Sequence, residues 1–131
     1  MRIMTLYKPG RESTVPPTAQ HMAAMGELIA EFSRAGVLIT TDGLQHSSKG
    51  KRVSINADGK FTVTDGPFTE TKELISGYAI LQVKDMDEAV RLTKRFLEVA
   101  GEGESEIRLM HDVPASDIKG ADQFSASGAS R

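Results

Sequence analysis

Two stretches of helical periodicity, each bracketed by stretches that alternate every second residue, restrict this chain more than any other feature. The first helical stretch places Met22, Met25, Gly26, Ile29 and Phe32 at spacings of three and four, which makes one apolar stripe. Thr18 stands where a hydroxyl can accept an orphan N–H of the first turn, and Gly36 follows where a left-handed residue ends a helix. The second stretch carries Ala89, Val90, Thr93, Phe96 and Leu97 behind the capping pair Asp85 and Glu88, with Gly101 as its stop. Residues 2–8 alternate as a strand, residues 37–41 form a β-branched strand running into Asp42-Gly43-Leu44, and Gly77 to Lys84 reads as a buried strand. A last strand is expected over Ile107 to Asp112. Between the two halves, Val53 and Ile55 alternate in one run and Phe61 and Val63 in another. Asp58-Gly59 supplies a hairpin turn between them.

The resulting order is β-α-β, a hairpin, then β-α-β. Without the hairpin it is an α+β, ferredoxin-like split βαβ arrangement, with helices on one face of a mainly antiparallel sheet. The other face then presents apolar side chains that nothing in the chain covers. A homodimer closing that face by two-fold symmetry is the expected solution. Residues 1–112 are expected to form the domain, and 113–131, rich in Ser, Ala, Gly, Asp and Lys, a polar flexible tail.

Composition removes several classes of function. The 131 residues contain no Cys, so disulfides, thiolate catalysis and Cys-based metal centres are excluded. Sixteen Lys and Arg against 18 Asp and Glu give a net charge of −2, which lacks the basic footprint of a nucleic-acid binder. No apolar run approaches the ~20 residues of a membrane span, and the first residues are too polar for a signal peptide. A cytoplasmic location is therefore expected. No phosphate loop, nucleophile elbow or HExxH pattern occurs, so neither a cofactor nor a metal is expected.

Among candidate chemical groups, Asp42 ends a strand where a barrel would place side chains in its mouth. A partly desolvated carboxylate there serves as a general acid or base; alternatively it only accepts backbone N–H groups in an Asx turn. Asp65-Gly66-Pro67-Phe68 offers a second carboxylate in a rigid corner, with Phe68 as a packing anchor or ligand wall. Tyr7 and Tyr78 fall on neighbouring strands and can fill a core or floor a pocket. His21 lies in the first turn of a helix, where the dipole favours the neutral ring. His46 is expected in a solvated loop, and His111 packed near a strand end on the face of Ile107 and Leu109.

The run from Val63 to Glu73, with Asp65-Gly66-Pro67-Phe68 inside it, stands behind Ala35-Gly36-Val37-Leu38 and Asp42-Gly43-Leu44 and before Gly77-Tyr78. In these motifs and their order the chain resembles the YCII-related family, and within it the branch named for the Asp-Gly-Pro-Phe tetrapeptide. The similarity runs from about Met1 to Asp112. It implies a dimeric α/β barrel of ferredoxin-like protomers and, in the wider superfamily, small-molecule enzymes. In a more distant branch a first-helix His pairs with an Asp in catalysis. That His position falls at Met25 here, with His21 one turn earlier. In the cavity of such a barrel, the residues' own chemistry makes Asp42 and Asp65 the candidate catalytic groups and Tyr7, His21, Met25, Phe68 and Tyr78 the candidate ligand-binding groups. Because some relatives occur beside or fused to extracytoplasmic-function sigma factors, it also implies an alternative as a ligand-sensing or regulatory module, with sigma-factor association. A plain dimeric scaffold is the third reading.

Overall fold

In the computed structural model, which describes residues 1–69 and 73–112, six strands and two helices follow the expected order. They are β1 (Arg2–Lys8), α1 (Ala19–Arg34), β2 (Leu38–Gly43), β3 (Lys51–Ile55), β4 (Phe61–Asp65), β5 (Gly77–Gln82), α2 (Met86–Ala100) and β6 (Glu104–Leu109). The expectation for residues 113–131 lies outside the described residues.

The main sheet has the order β2-β5-β1-β6, and every neighbouring pair in it is antiparallel. This is the sheet order that two split βαβ units produce, with β5 between β1 and β2, and β1 between β5 and β6. β3 and β4 form a separate two-stranded hairpin, paired from Lys51↔Asp65 to Ile55↔Phe61. Its turn is held by the Asn56 side chain, whose Oδ1 accepts the N–H groups of Asp58 and Lys60, and Gly59 takes the positive φ the turn requires.

Ile3, Leu81, Val83, Leu28, Phe32, Ala89 and Leu92 form the core between helices and sheet. Each of these side chains except the small Ala89 contributes roughly 1.5–3 kcal/mol by leaving water. Two details differ from the sequence expectation. α1 buries Leu28 and Phe32, near its C-terminal end, whereas Met22 and Ile29 remain exposed. α2 buries Ala89, Leu92 and Thr93 and leaves Val90 outside. A bidentate ion pair between Arg95 and Glu31 ties the two helices together at 3.1 and 3.3 Å.

The last strand also begins and ends three residues earlier than expected. It pairs with β1 from Lys8↔Glu104 to Ile3↔Leu109, and after Met110 N–H reaches the Arg2 carbonyl, β1 has no further residue to pair with. His111 therefore lies beyond the strand and is exposed, not packed on its apolar face.

Candidate functional site

Because α1 packs tightly only along its C-terminal half, a cleft of about 660 Å³ opens between the helices and one end of the sheet. That end is where β1 and β2 finish and β5 begins. Met22, Met25, Gly26 and Ile29 of α1 form one wall, and Thr93, Phe96 and Ala100 of α2 another. Thr5, Thr41 and Ala79, which are cross-strand neighbours in the register, form the floor.

Of the seven residues singled out in the sequence, Tyr7, His21 and Met25 line the cleft, whereas Asp42 and Tyr78 touch its rim and by register turn their side chains to the helix-free face, with Leu6 and Ile80. Asp42 and Tyr78 are direct register partners, and the Tyr78 hydroxyl donates to Asp42 Oδ2 at 2.9 Å. This bond to the carboxylate, more than the carboxylate's charge or burial, raises the Tyr78 pKa and keeps the phenol protonated. Asp42 is exposed, so the desolvation expected of it is absent in the single chain, and its recorded partner is a phenol, not an Asx-turn N–H. Tyr7 contributes its ring. The hydroxyl is spent on the Glu102 carbonyl at 2.7 Å, and the ring meets Phe96 edge-on at 5.3 Å. Burial, then the nearby Glu102 charge, pushes the Tyr7 pKa up. His21 is half-buried in the first turn of α1, where its N–H donates to the Thr18 hydroxyl.

Asp65 and Phe68 are not brought to this cleft. Asp65 ends β4 on the exposed hairpin and pairs with Lys51. The tetrapeptide instead clasps the turn at Ser47–Lys49. Gly66 N–H donates to the Gly50 carbonyl at 3.0 Å, and Phe68 N–H donates to the Ser47 hydroxyl at 3.0 Å. Ser47 in turn donates through its N–H and hydroxyl to Glu12. His46, expected to be solvated, is half-buried with Nε2 3.0 Å from the same Glu12 carboxylate. Phe68 carries the Arg52 guanidinium 4.0 Å over its ring.

The family model described as the YCII-related domain matches residues 1–110. The chain belongs to the YCII-related family. No curated protein matches it. In this YCII-related domain both Met25 and His21, on α1, line the cleft.

Several cleft residues carry no sequence signal of their own. Thr5 and Thr93 are each only 6% exposed, and neither hydroxyl has a hydrogen-bond partner among the described residues. Thr5 reads as one alternating strand residue and Thr93 as one core residue of a stripe. Only the packing of α2 over β1 shows that two polar groups have been left unanswered. Gly26 reads as a weak point in a helix, and its meaning depends on the space beside it. Among the described residues no helix is long and apolar enough to cross a membrane, and no group of three or more His, Asp or Glu is placed to hold a metal ion.

Proposed function

We propose that this protein binds a small organic molecule in the cleft between its helices and sheet. The observation that carries the reading is Gly26. A glycine inside a helix costs roughly 0.5–1 kcal/mol relative to Ala. Its usual justifications are a positive φ or a neighbour too close for a side chain. Gly26 has neither: its φ lies outside the positive range, and a Cβ built there would meet nothing within 4 Å. What it does is keep the α1 wall of the cleft open.

Asp42 stays the candidate acid or base: Tyr78 holds its Oδ2 and leaves Oδ1 to take a proton, and by register both side chains lie on the helix-free face with Leu6 and Ile80, which a dimeric barrel would enclose. The same arrangement serves a sensor that only binds, which is the regulatory alternative. Turnover of a bound compound separates the two.

We further propose that two copies close their helix-free sheet faces against each other, as a dimeric barrel requires. Met4, Leu6 and Ile80 fall on that face by register, because they alternate with the core-facing Ile3, Thr5 and Leu81.

A thermal-shift screen of small apolar amines, alcohols and carboxylates on the native protein and Gly26→Leu tests the cleft. Leu is the better helix former by about 0.5–1 kcal/mol, so the variant should be at least as stable as the parent. Compounds that stabilise the native protein should fail to stabilise Gly26→Leu. Hits that persist undiminished in the variant, or an absence of hits, would remove the cleft as the site.

A further inference from the structure

The hydroxyl groups around the cleft divide into those already engaged and those left without a partner. Tyr7 donates its hydroxyl to the Glu102 carbonyl, and Thr41 donates its hydroxyl to the Tyr78 carbonyl at 2.9 Å. Thr5 and Thr93 are different. Both border the cleft, both are only 6% exposed, and neither hydroxyl has a hydrogen-bond partner among the described residues. A hydroxyl has one donor and two acceptor positions, and shielding it from water unanswered is a penalty the fold bears.

Thr5 and Thr93 also stand at a similar depth. Tyr7 and Phe96 meet edge-on beside the cleft. Thr5 precedes Tyr7 by two residues on the same face of β1, about 7 Å closer to the core. Thr93 precedes Phe96 by three residues on α2, roughly 4.5 Å closer to the core. Beyond them Ile3, Leu81, Leu28 and Leu92, all buried, close the inner end. The two threonines thus approach from sheet and helix at the bottom of a cleft walled by Met22, Met25, Ile29 and Phe96, an apolar and adaptable surface.

The lining offers no partner to a charge at that depth. Among the described residues that border the cleft there is no Lys and no Arg, and the Asp42 carboxylate is turned by register, with Tyr78, to the other face of the sheet. The imidazole of His21 stands on the first turn of α1, at the opposite end of the helix from the buried Leu28 and Phe32. An ammonium or a carboxylate carried down to Thr5 and Thr93 would lose its water and meet no opposite charge.

On this basis we propose that the cleft is selective for an uncharged, largely apolar molecule that ends in one hydroxyl or carbonyl group, with that group seated against Thr5 and Thr93. The proposal rests on the cleft being the binding site and adds the class of ligand. No covalent step is part of it.

Benzyl alcohol, toluene, benzylamine and benzoate share one phenyl body and differ at one end, which is a hydroxyl, a methyl, a cation or an anion. Titration of the full chain with each at neutral pH, followed by chemical-shift change, reads the selectivity directly. Benzyl alcohol should bind at least about tenfold more tightly than benzylamine or benzoate. The role of the hydroxyl is read against toluene in a double variant, Thr5→Val with Thr93→Val, which keeps the shape of both side chains and removes both unpartnered oxygens. There the affinity of benzyl alcohol relative to toluene should fall by about tenfold, because its hydroxyl then enters an apolar site unanswered. Toluene asks nothing of either threonine and should bind the variant at least as well as the native protein, which reports that the cleft is intact. Each single variant should show part of the loss, so the test does not depend on the double variant folding.

Equal or tighter binding of benzylamine or benzoate would overturn the charge class while leaving the cleft as a binding site. A ratio of benzyl alcohol to toluene that is unchanged in the variants would overturn the threonine contact and leave the cleft likewise. If none of the four compounds binds the native protein, or if all bind Gly26→Leu equally well, the proposal fails together with the cleft reading.

Discussion

Lys8 is a lysine whose side chain is only 8% exposed, at the end of β1, and the carboxylates of Glu106 and Glu73 answer it at 2.8 and 3.0 Å. The bonds to Glu106 and Glu73 raise the lysine pKa above its ordinary 10.5, and the bonds from Lys8 and then Arg108 hold Glu106 below its ordinary 4.5. Because the folded pKa of Glu106 is depressed, its contribution to stability is present above 4.5 and is lost as pH falls through the lower folded value. For Lys8 the sign is reversed: its contribution is present below 10.5 and is lost as pH rises through the raised value. Lys8→Met should therefore flatten the acid limb of a plot of Tm against pH, without abolishing it, since Arg108 still pairs with Glu106. Parallel curves for the two proteins below pH ~4.5 would show that the pair does not set the acid stability. None of this cluster was visible in the sequence, because Lys8, Glu73 and Glu106 are brought together only by the pairing of β1 with β6 and the approach of the segment before β5. The tetrapeptide at Asp65–Phe68 was half visible. Its rigidity follows from Gly and Pro, but its partner Ser47 is a loop residue with no periodic signal. A Cβ on Gly66 would stand 1.8 Å from the Ser47 carbonyl oxygen, which explains the glycine as a close backbone approach.

At the scale of the element, what local chemistry specifies was legible, and what a neighbour specifies was not. The Thr18 cap, the Gly36 stop at φ 73° and the Asp85 cap stand where the sequence puts them, because each needs only residues within one turn. The Asp85 cap makes a direct prediction. Its Oδ1 accepts the Glu88 N–H at 2.8 Å, and Glu88 reaches back to the Lys84 N–H at 3.0 Å. Asp85→Ala should cost about 1 kcal/mol, read as a lower urea midpoint with an unchanged slope, whereas Asp85→Ser should keep most of the stability. A loss equal for both variants would mean that the cap bond is not the source. β6 shows the opposite case. Glu104-Ser105-Glu106 looks like loop by composition, yet it is strand because β1 offers Lys8, Tyr7 and Leu6 as partners and runs out at Arg2. The spacing in α1 makes one apolar stripe, and the helix buries only part of it. Periodicity gives the direction of a face; whether the face is covered depends on the angle at which the second helix arrives. That difference is the cleft, in which Tyr7, His21 and Met25 were legible as side chains with chemistry of their own, while Thr5, Thr93 and the role of Gly26 were not.

For the whole molecule, the unbalanced feature is apolar surface. One face of the main sheet is covered by both helices, and the strip containing Met4, Leu6 and Ile80 is not. The hairpin adds Val53, Ile55, Phe61 and Val63 on one face, between 59% and 71% exposed. A two-stranded hairpin is marginal on its own in water, and a sheet with one bare apolar face invites association. The proposed dimer answers the sheet at least. Ile80 is its most direct test, since it lies on β5 between Met4 of β1 and Thr40 of β2, at the centre of the uncovered face. In a monomer, glutamate at that position reaches water at modest cost. In a face-to-face dimer the two-fold takes a pair of carboxylates out of water into the strip of Met4, Leu6 and Ile80, with Arg2 and Arg108 the cations beside Met4 on that face, a penalty of several kcal/mol wherever the new carboxylate stays unpaired. Ile80→Glu should therefore weaken dimerisation by roughly a hundredfold or more, and at micromolar concentration it should sediment as a folded monomer while the parent sediments as a dimer. Ile80→Val, which keeps the face apolar, should remain dimeric and exclude a mere packing defect as the cause. A parent that is monomeric at about 100 μM, a concentration at which a micromolar dimer would be almost fully formed, would mean that the bare face is not a homodimer interface. A dimer unaffected by Ile80→Glu would move the interface elsewhere, with the apolar face of the hairpin the next surface to mutate.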